Sequence, residues 1–336
     1  MNIPSELYNR TYAYQMICFA GLVGTLLYNL ESGLLRALGD STTPLFFLII
    51  SSAMNIILDL VFILNFHMDV AGAALATVLS QTFSGVASMI FSMRKYELLR
   101  LGRNSFCYDY RFFWEHIKIG LPLAIQNSIT AVGMLVFQSA LNSMGADSIA
   151  AYTACQKIES FSTMPMFASS TALVTYVAQN YGAKNNRRIR KGVNALFWVN
   201  LSISLICGGL IIMFSEPVIG LFIGRESIEV IRLAKSYITI NAGCLWCAAL
   251  LFVYRAAVQG TGVTQVPMIG GFIELFMRVF AALVLARTFG FIGLATAYPL
   301  AWLFAAFLNI GYYIYECKTC LKISKNKKRG HYAEYI

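Results

Sequence analysis

Two stretches decide the fold: Gly33-Leu-Leu-Arg-Ala-Leu-Gly39-Asp-Ser-Thr-Thr-Pro44 and Ala256-Ala-Val-Gln-Gly-Thr-Gly262-Val-Thr-Gln-Val-Pro267. Each ends an apolar segment in a glycine turn and opens the next one with proline, which suits a first helical turn because its missing N–H has no partner there anyway. Sliding the chain by about 223 residues superposes Gly39 on Gly262 and Pro44 on Pro267. A second junction follows each of them. Val70-Ala-Gly72-Ala-Ala-Leu-Ala-Thr77 aligns with Phe291-Ile-Gly293-Leu-Ala-Thr-Ala-Tyr298 after a slip of two residues. The first three apolar segments therefore repeat as the last three, in the same sense, as a parallel internal repeat.

The segments are membrane spans. Of the 336 residues 58% are apolar and only 12% charged, and mean hydropathy is +0.63. That excludes an ordinary soluble domain. Runs of about 20 apolar residues cross a hydrocarbon core about 30 Å thick. By that rule the chain holds about nine spans, over 12–37, 43–66, 70–94, 116–141, 148–180, 190–214, 230–258, 266–288 and 291–316. The expected partners are thus lipid and small molecules, not nucleic acid. The +10 net charge is explained by basic loops on one side: Arg94, Lys95, Arg100, Arg103 and Arg111, then Lys184 to Lys191, then the tail from Lys318 to Arg329. The loops at Asp147 and at Glu216, Arg225, Glu226 and Glu229 are neutral or acidic. Basic loops stay cytoplasmic, so the C-terminus is expected in the cytoplasm of a multi-pass inner-membrane protein and Met1 outside. The middle spans, roughly 116–214, have no earlier copy. A unit of six helices would then have lost its first three in the N-terminal copy.

At these residues the sequence resembles a known family. Arg36 to Pro44, Asn55 to Asp59 and Val70 to Thr77 are similar to the fourth to sixth helices of multidrug and toxic compound extrusion (MATE) transporters. Gly120-Leu-Pro122, Gln156-Lys-Ile-Glu159, Ala178-Gln-Asn-Tyr-Gly-Ala183 and Gln259-Gly-Thr-Gly262 continue the likeness. It implies an all-α membrane protein, an incomplete version of a twelve-helix, two-lobe fold. Residues 1–95 would be the remainder of the N-lobe, 96–115 a cytoplasmic inter-lobe loop, 116–316 the C-lobe and 317–336 a basic tail. The spacing of Asn55, Asp59 and Thr77 resembles the N-lobe cation site of the DNA-damage-inducible bacterial branch. The helix-one aspartate of that site is absent from the chain and would have to come from complementing N-terminal helices. Thr130 and Ala248 stand where another branch carries acids.

The chemistry of the residues points the same way. An isolated carboxylate inside an apolar span costs several kcal/mol unless hydrated or paired, which makes Asp59 a functional candidate. Asn55 lies one turn earlier on its face, and Thr77 adds a hydroxyl from the next span. A proton and a cation competing for Asp59 would couple ion movement to transport. Glu274 and Arg278 form an i, i+4 charge pair. Polar strips at Gln126, Ser128 and Thr130 and at Gln156, Lys157 and Glu159 are candidate walls of a substrate cavity, with Met134. Phe137, Met164, Met166, Phe167 and Trp246 could add an adaptable apolar surface. Arg36 and Arg255 read as interfacial anchors capping helix carbonyls. No phosphate loop, HExxH or nucleophile elbow occurs, and His67, His116 and His331 are not at metal-ligand spacing. The expectation is a non-enzymatic, proton- or sodium-coupled antiporter of organic cations or other amphipathic compounds, with no cofactor beyond the coupling ion and no structural metal. Two alternatives stand beside it: a lipid-linked sugar flippase, and a transport-inactive remnant or assembly subunit.

Overall fold

The computed structural model describes residues 5–100, 102, 109–222 and 228–333. Arg103, Arg225 and Glu226 of the charged loops lie outside the described residues, as do the side chains of the tail beyond Lys318. The chain divides into two compact units, residues 1–108 and 109–336.

In the first unit, α1 (Ser5–Ala20) and α2 (Leu22–Ala37) form one broken span bent by 43°. α3 (Thr42–Leu60) runs into a π-helical turn (Val61–Asn65), and α4 (Asp69–Lys95) packs against α1, α2 and α3. Its inner face is small: Gly72, Ala74, Ala76, Ser80, Ser84, Gly85, Ser88 and Ser92 are all buried. Small residues let helix backbones approach where lipid offers no hydrophobic drive to associate. Hydroxyls then bind across the helices, as Ser51 Oγ to Ser80 O at 2.9 Å and Ser84 Oγ to Phe47 O at 3.1 Å. The opposite faces carry large exposed apolar side chains, Val23, Phe46, Ile49, Ile56 and Ile57 among them, as a lipid-facing surface requires.

The second unit comprises α5 (Tyr110–Asn142), α6 (Ala146–Gly182), α7 (Asn186–Met213), α8 (Ser215–Phe222), α9 (Ile228–Gly243), α10 (Leu245–Gly260), α11 (Gln265–Phe280), α12 (Ala286–Ala295) and α13 (Ala297–Ala333). A second π-helical turn, Ala281–Leu285, joins α11 to α12. Asp109 caps α5 by accepting from Arg111 N at 2.9 Å, and Asn185 caps α7 by accepting from Arg188 N at 3.1 Å. These satisfy amides that have no intrahelical partner. α11 lies between α5 and α13, while α6 and α10 pack together and against α7. Core clusters form around Phe137, Tyr152 and Tyr237, around Val177, Val193 and Val253, and around Leu251, Trp302 and Ala305.

Among the described residues, six helices and two bent pairs are long and apolar enough to cross a membrane. The nine expected segments differ from this in one place. α6, at 37 residues, has length to spare, but Gln156, Lys157, Glu159 and its many hydroxyl residues leave it too polar to qualify by composition. The segments expected over 12–37 and 230–258 are bent pairs rather than straight spans, broken at Gly21 and at Cys244.

The internal repeat is visible in the backbone. Gly39 and Gly262 both adopt a positive φ, 87° and 86°, at the turn before the proline helix. Side-chain-bearing residues avoid this region. α3 and α11 both end in a π-helical turn, and the chain then takes a positive φ at His67 in one copy and at Gly290 in the other. Gly72 and Gly293 each back onto that turn: an added Cβ would lie 2.9 Å from Phe62 Cβ in the first copy and 2.0 Å from Leu285 O in the second.

Candidate functional site

In the first unit, α3 and α4 bring two of the three expected cation ligands into contact. Asn55 Nδ2 donates to Thr77 Oγ1 at 3.4 Å, and the Thr77 hydroxyl donates to Ala73 O at 3.0 Å. Asp59 follows one turn later on α3, half-buried, and its Oδ1 is buried with no hydrogen-bond partner. An unpartnered carboxylate oxygen is costly where water is scarce, and either a proton or a cation relieves it. Tyr14 on α1 lies within electrostatic reach of Asp59.

The same unit holds a second intramembrane acid that the sequence reading passed over. Glu31 on α2 is buried, 6% exposed, and its Oε2 accepts from Ser92 Oγ of α4 at 2.8 Å. The test that singled out Asp59, a lone acid in an apolar run, finds Glu31 in Leu-Val-Gly-Thr-Leu-Leu-Tyr-Asn-Leu-Glu equally well. At the end of the unit, Asp40 accepts from Lys95 Nζ at 2.7 Å, Tyr96 Oη at 2.7 Å, Thr43 N at 3.0 Å and Thr43 Oγ1 at 2.7 Å. Lys95 first, and then the Thr43 amide, hold the Asp40 carboxyl well below the usual carboxylate range.

In the second unit, the expected Glu274–Arg278 pair exists and is larger than expected. Glu274 is 2% exposed; its Oε2 meets Arg278 Nη2 at 3.3 Å, and its Oε1 accepts from Arg255 Nη2 of α10. Arg255 is therefore not the interfacial anchor and carbonyl cap expected. Its position in α10 faces α11, where an acid waits for it. Two guanidinium groups share one carboxylate, so the cluster carries one net positive charge. Arg278 also donates through Nη1 to Thr130 O at 3.1 Å and lies 5.0 Å from the centroid of the Tyr298 ring.

The expected cavity residues separate. Gln126, Thr130, Gly133 and Phe137 lie along the α5 stripe that faces α11, and Gln126 Oε1 accepts from Gln259 Nε2 at 3.2 Å. Thr130 thus joins the charge cluster through its carbonyl, whereas Gln126 is buried against Gln259. Ser128, Met134 and Gln156 occupy exposed faces. Ser160 and Thr163 return their hydroxyls to carbonyls of their own helix, at 2.8 and 3.1 Å, so the α6 strip is not one open polar wall. Glu159 is half-buried and within electrostatic reach of Tyr152, Tyr237 and Tyr298. Phe137 and Met166, expected on an adaptable surface, are core residues at 1% and 0% exposure, because their α5 and α6 stripes face neighbouring helices. Met164, Phe167 and Trp246 remain exposed.

These features define a polytopic α-helical membrane protein built on a repeated three-helix motif, with charged and polar side chains held between its spans. Comparison with known proteins specifies it further. The family model described as MatE matches residues 122–284. A probable multidrug resistance protein NorM of Thermotoga maritima is 28% identical over 293 residues, covering 86% of this chain and 62% of the relative. The probable multidrug resistance protein YpnP of Bacillus subtilis is 28% identical over 334 residues, covering 97% of this chain and 73% of the relative. Among solved structures, a MATE in complex with MaL6 superposes with TM-score 0.87 at 20% identity, over 96% of this chain and 73% of the other. The Vibrio cholerae MATE transporter VcmN in its bent form gives 0.83 at 18%, over 94% and 72%. The chain is thus similar to MATE transporters, by the family model over residues 122–284 and by fold along most of its length. It spans 62% of the Thermotoga relative's length.

Proposed function

We propose that the chain acts in a cation-coupled antiporter that exports organic cations or other amphipathic compounds by alternating access, with inward proton or sodium movement as the driving force. The observation that carries the reading is the Asn55–Thr77 contact with an unpartnered Asp59 oxygen one turn away. An intramembrane carboxylate left with spare valence, beside an amide and a hydroxyl, suits a site that exchanges a proton for a cation. The names of the relatives, multidrug resistance and multidrug export proteins, support the substrate class. The basic loops support a cytoplasmic C-terminus in a plasma membrane. Gln126, Ser128, Thr130, Met134, Gln156 and Glu159 are proposed to act in substrate handling, with Glu274 and Arg278 shaping the interior beneath them.

The test is transport of a fluorescent organic cation in vesicles carrying the full chain, with either a pH or a sodium gradient imposed. Asp59→Asn is expected to abolish gradient-driven flux with unchanged membrane insertion. Undiminished flux in that variant would remove Asp59 from the mechanism.

A further inference from the structure

The two copies of the repeat treat one position in opposite ways. Arg278 follows Gly262 by as many residues as Asn55 follows Gly39, and Tyr298 follows Gly293 by as many as Thr77 follows Gly72. The Asn55–Thr77 contact of the first unit therefore has a counterpart in the second: Arg278, with its guanidinium over the Tyr298 ring at 5.0 Å. Asp59 has no acidic counterpart; the aligned residue is Ala282. Where the first unit offers an amide, a hydroxyl and a carboxylate oxygen with nothing bound to it, the second places a side-chain cation.

That cation is firmly seated. Arg278 is 2% exposed, bound by Glu274 Oε2 and Thr130 O, and α5 makes room for it with Gly133, where an added Cβ would lie 2.9 Å from Nη1. Its Nε is buried without a partner. The carboxylate does not depend on it, since Glu274 is also held by Arg255. Arg278 therefore contributes the surplus charge of the cluster, which an ion pair alone would not require. A guanidinium on an aromatic face is a favourable cation–π arrangement, stronger when desolvated.

We propose that Arg278 is a tethered monovalent cation filling the second unit's counterpart of the Asn55–Thr77 position, so that this unit takes no exchangeable coupling ion and exchange is confined to Asp59. The confinement to Asp59 rests on the proposed antiport. The tethered cation stands on the geometry of the second unit alone. Removing the side chain should leave a vacancy that recognises a small monovalent cation, guanidinium best of all because it matches the lost group in charge, planarity and donors.

The experiment uses the full chain purified in detergent and follows thermal unfolding with millimolar guanidinium or sodium chloride, with choline chloride as the ionic-strength control. Arg278→Ala is expected to unfold at lower temperature than the parent and to recover about half the lost Tm at saturating guanidinium, as a ligand specific to the folded state does. The parent and Arg278→Lys are expected to show no such gain, and Arg278→Ala/Tyr298→Leu, which removes the ring, to lose it. Arg278→Gln, which keeps donors for Thr130 and Glu274, carries the same expectation should the alanine variant fail to fold. No gain over choline in either neutral variant overturns the proposal. So does a sodium-dependent rise in Tm that persists in Asp59→Asn while Arg278 is intact, since the second unit would then bind an ion of its own. The two readings fail separately: guanidinium rescue with Asp59→Asn transporting normally removes the antiport assignment alone, whereas loss of transport without rescue removes the tethered cation alone.

Discussion

Glu274→Gln removes the one carboxylate shared by Arg255 and Arg278. Both cations remain in place, the first 15% and the second 2% exposed in its side chain. Breaking a buried ion pair by deleting one partner costs about 3–5 kcal/mol, because the survivor keeps its desolvation penalty without its attraction. Here two like charges survive, so the upper half of that range is expected. Converted at about 2–4 °C per kcal/mol for a unit of 150–250 residues, the loss is roughly 8–20 °C in Tm. Arg255→Met should cost less, since Glu274 keeps Arg278 and the net charge of the cluster falls to zero. The assay is unfolding of the purified full chain monitored by the reactivity of its buried thiols, Cys155 and Cys247. If Glu274→Gln unfolds within about 1 kcal/mol of the parent, the cluster is not a desolvated ion network and the accounting is wrong. Glu274→Gln/Arg278→Met, which leaves Arg255 as the one surviving charge, should recover part of the loss, which a simple packing defect at Glu274 would not allow.

Asp40→Asn should lower stability equally at pH 5 and pH 8. The folded carboxyl titrates below its unfolded value, so its contribution is fully present above about pH 4 and is lost only as pH falls through the depressed folded value; a thermal-unfolding series over pH checks this. Gly262→Ala meets no neighbouring atom and should cost only the backbone penalty of its positive φ, about 1–2 kcal/mol, and Gly39→Ala should match it. Gly293→Ala should cost clearly more than either, because its Cβ would meet Leu285 O at 2.0 Å, and backbone cannot swing aside. Differential scanning of the three variants ranks them.

Much of this was legible in the sequence because the repeat and the membrane leave strong marks. Glycine and proline at the junctions foretold the two positive-φ turns, and lone polar residues in apolar runs drew attention to Asp59, Asn55, Glu274 and Arg278. The α6 helix shows the limit of span counting: apolarity marks helices that face lipid, and a helix packed against α7, α9 and α10 can be long without being apolar throughout. Arg255 was misread because distance to a helix end is visible in sequence and the facing residue of another helix is not. Phe137 and Met166 failed for the same reason. Residue type cannot tell a side chain presented to a cavity from one locked into a neighbour, and only the packing of α5 on α11 and of α6 on its neighbours decides it. Glu31 was readable and was missed.

The broken spans carry a consequence of their own. Gly21 and Cys244 lie one repeat length apart, and the bends there are 43° and 44°. The local bonding is the same as well: Gly24 N reaches Gly21 O at 3.1 Å, and Cys247 N reaches Cys244 O at 2.9 Å. One joint has glycine and the other cysteine, so its shape cannot come from the freedom of glycine. An ancestral elbow copied at gene duplication would have this signature: the angle inherited through the way the helix is clasped by its neighbours, the amino acid at its point left free to drift.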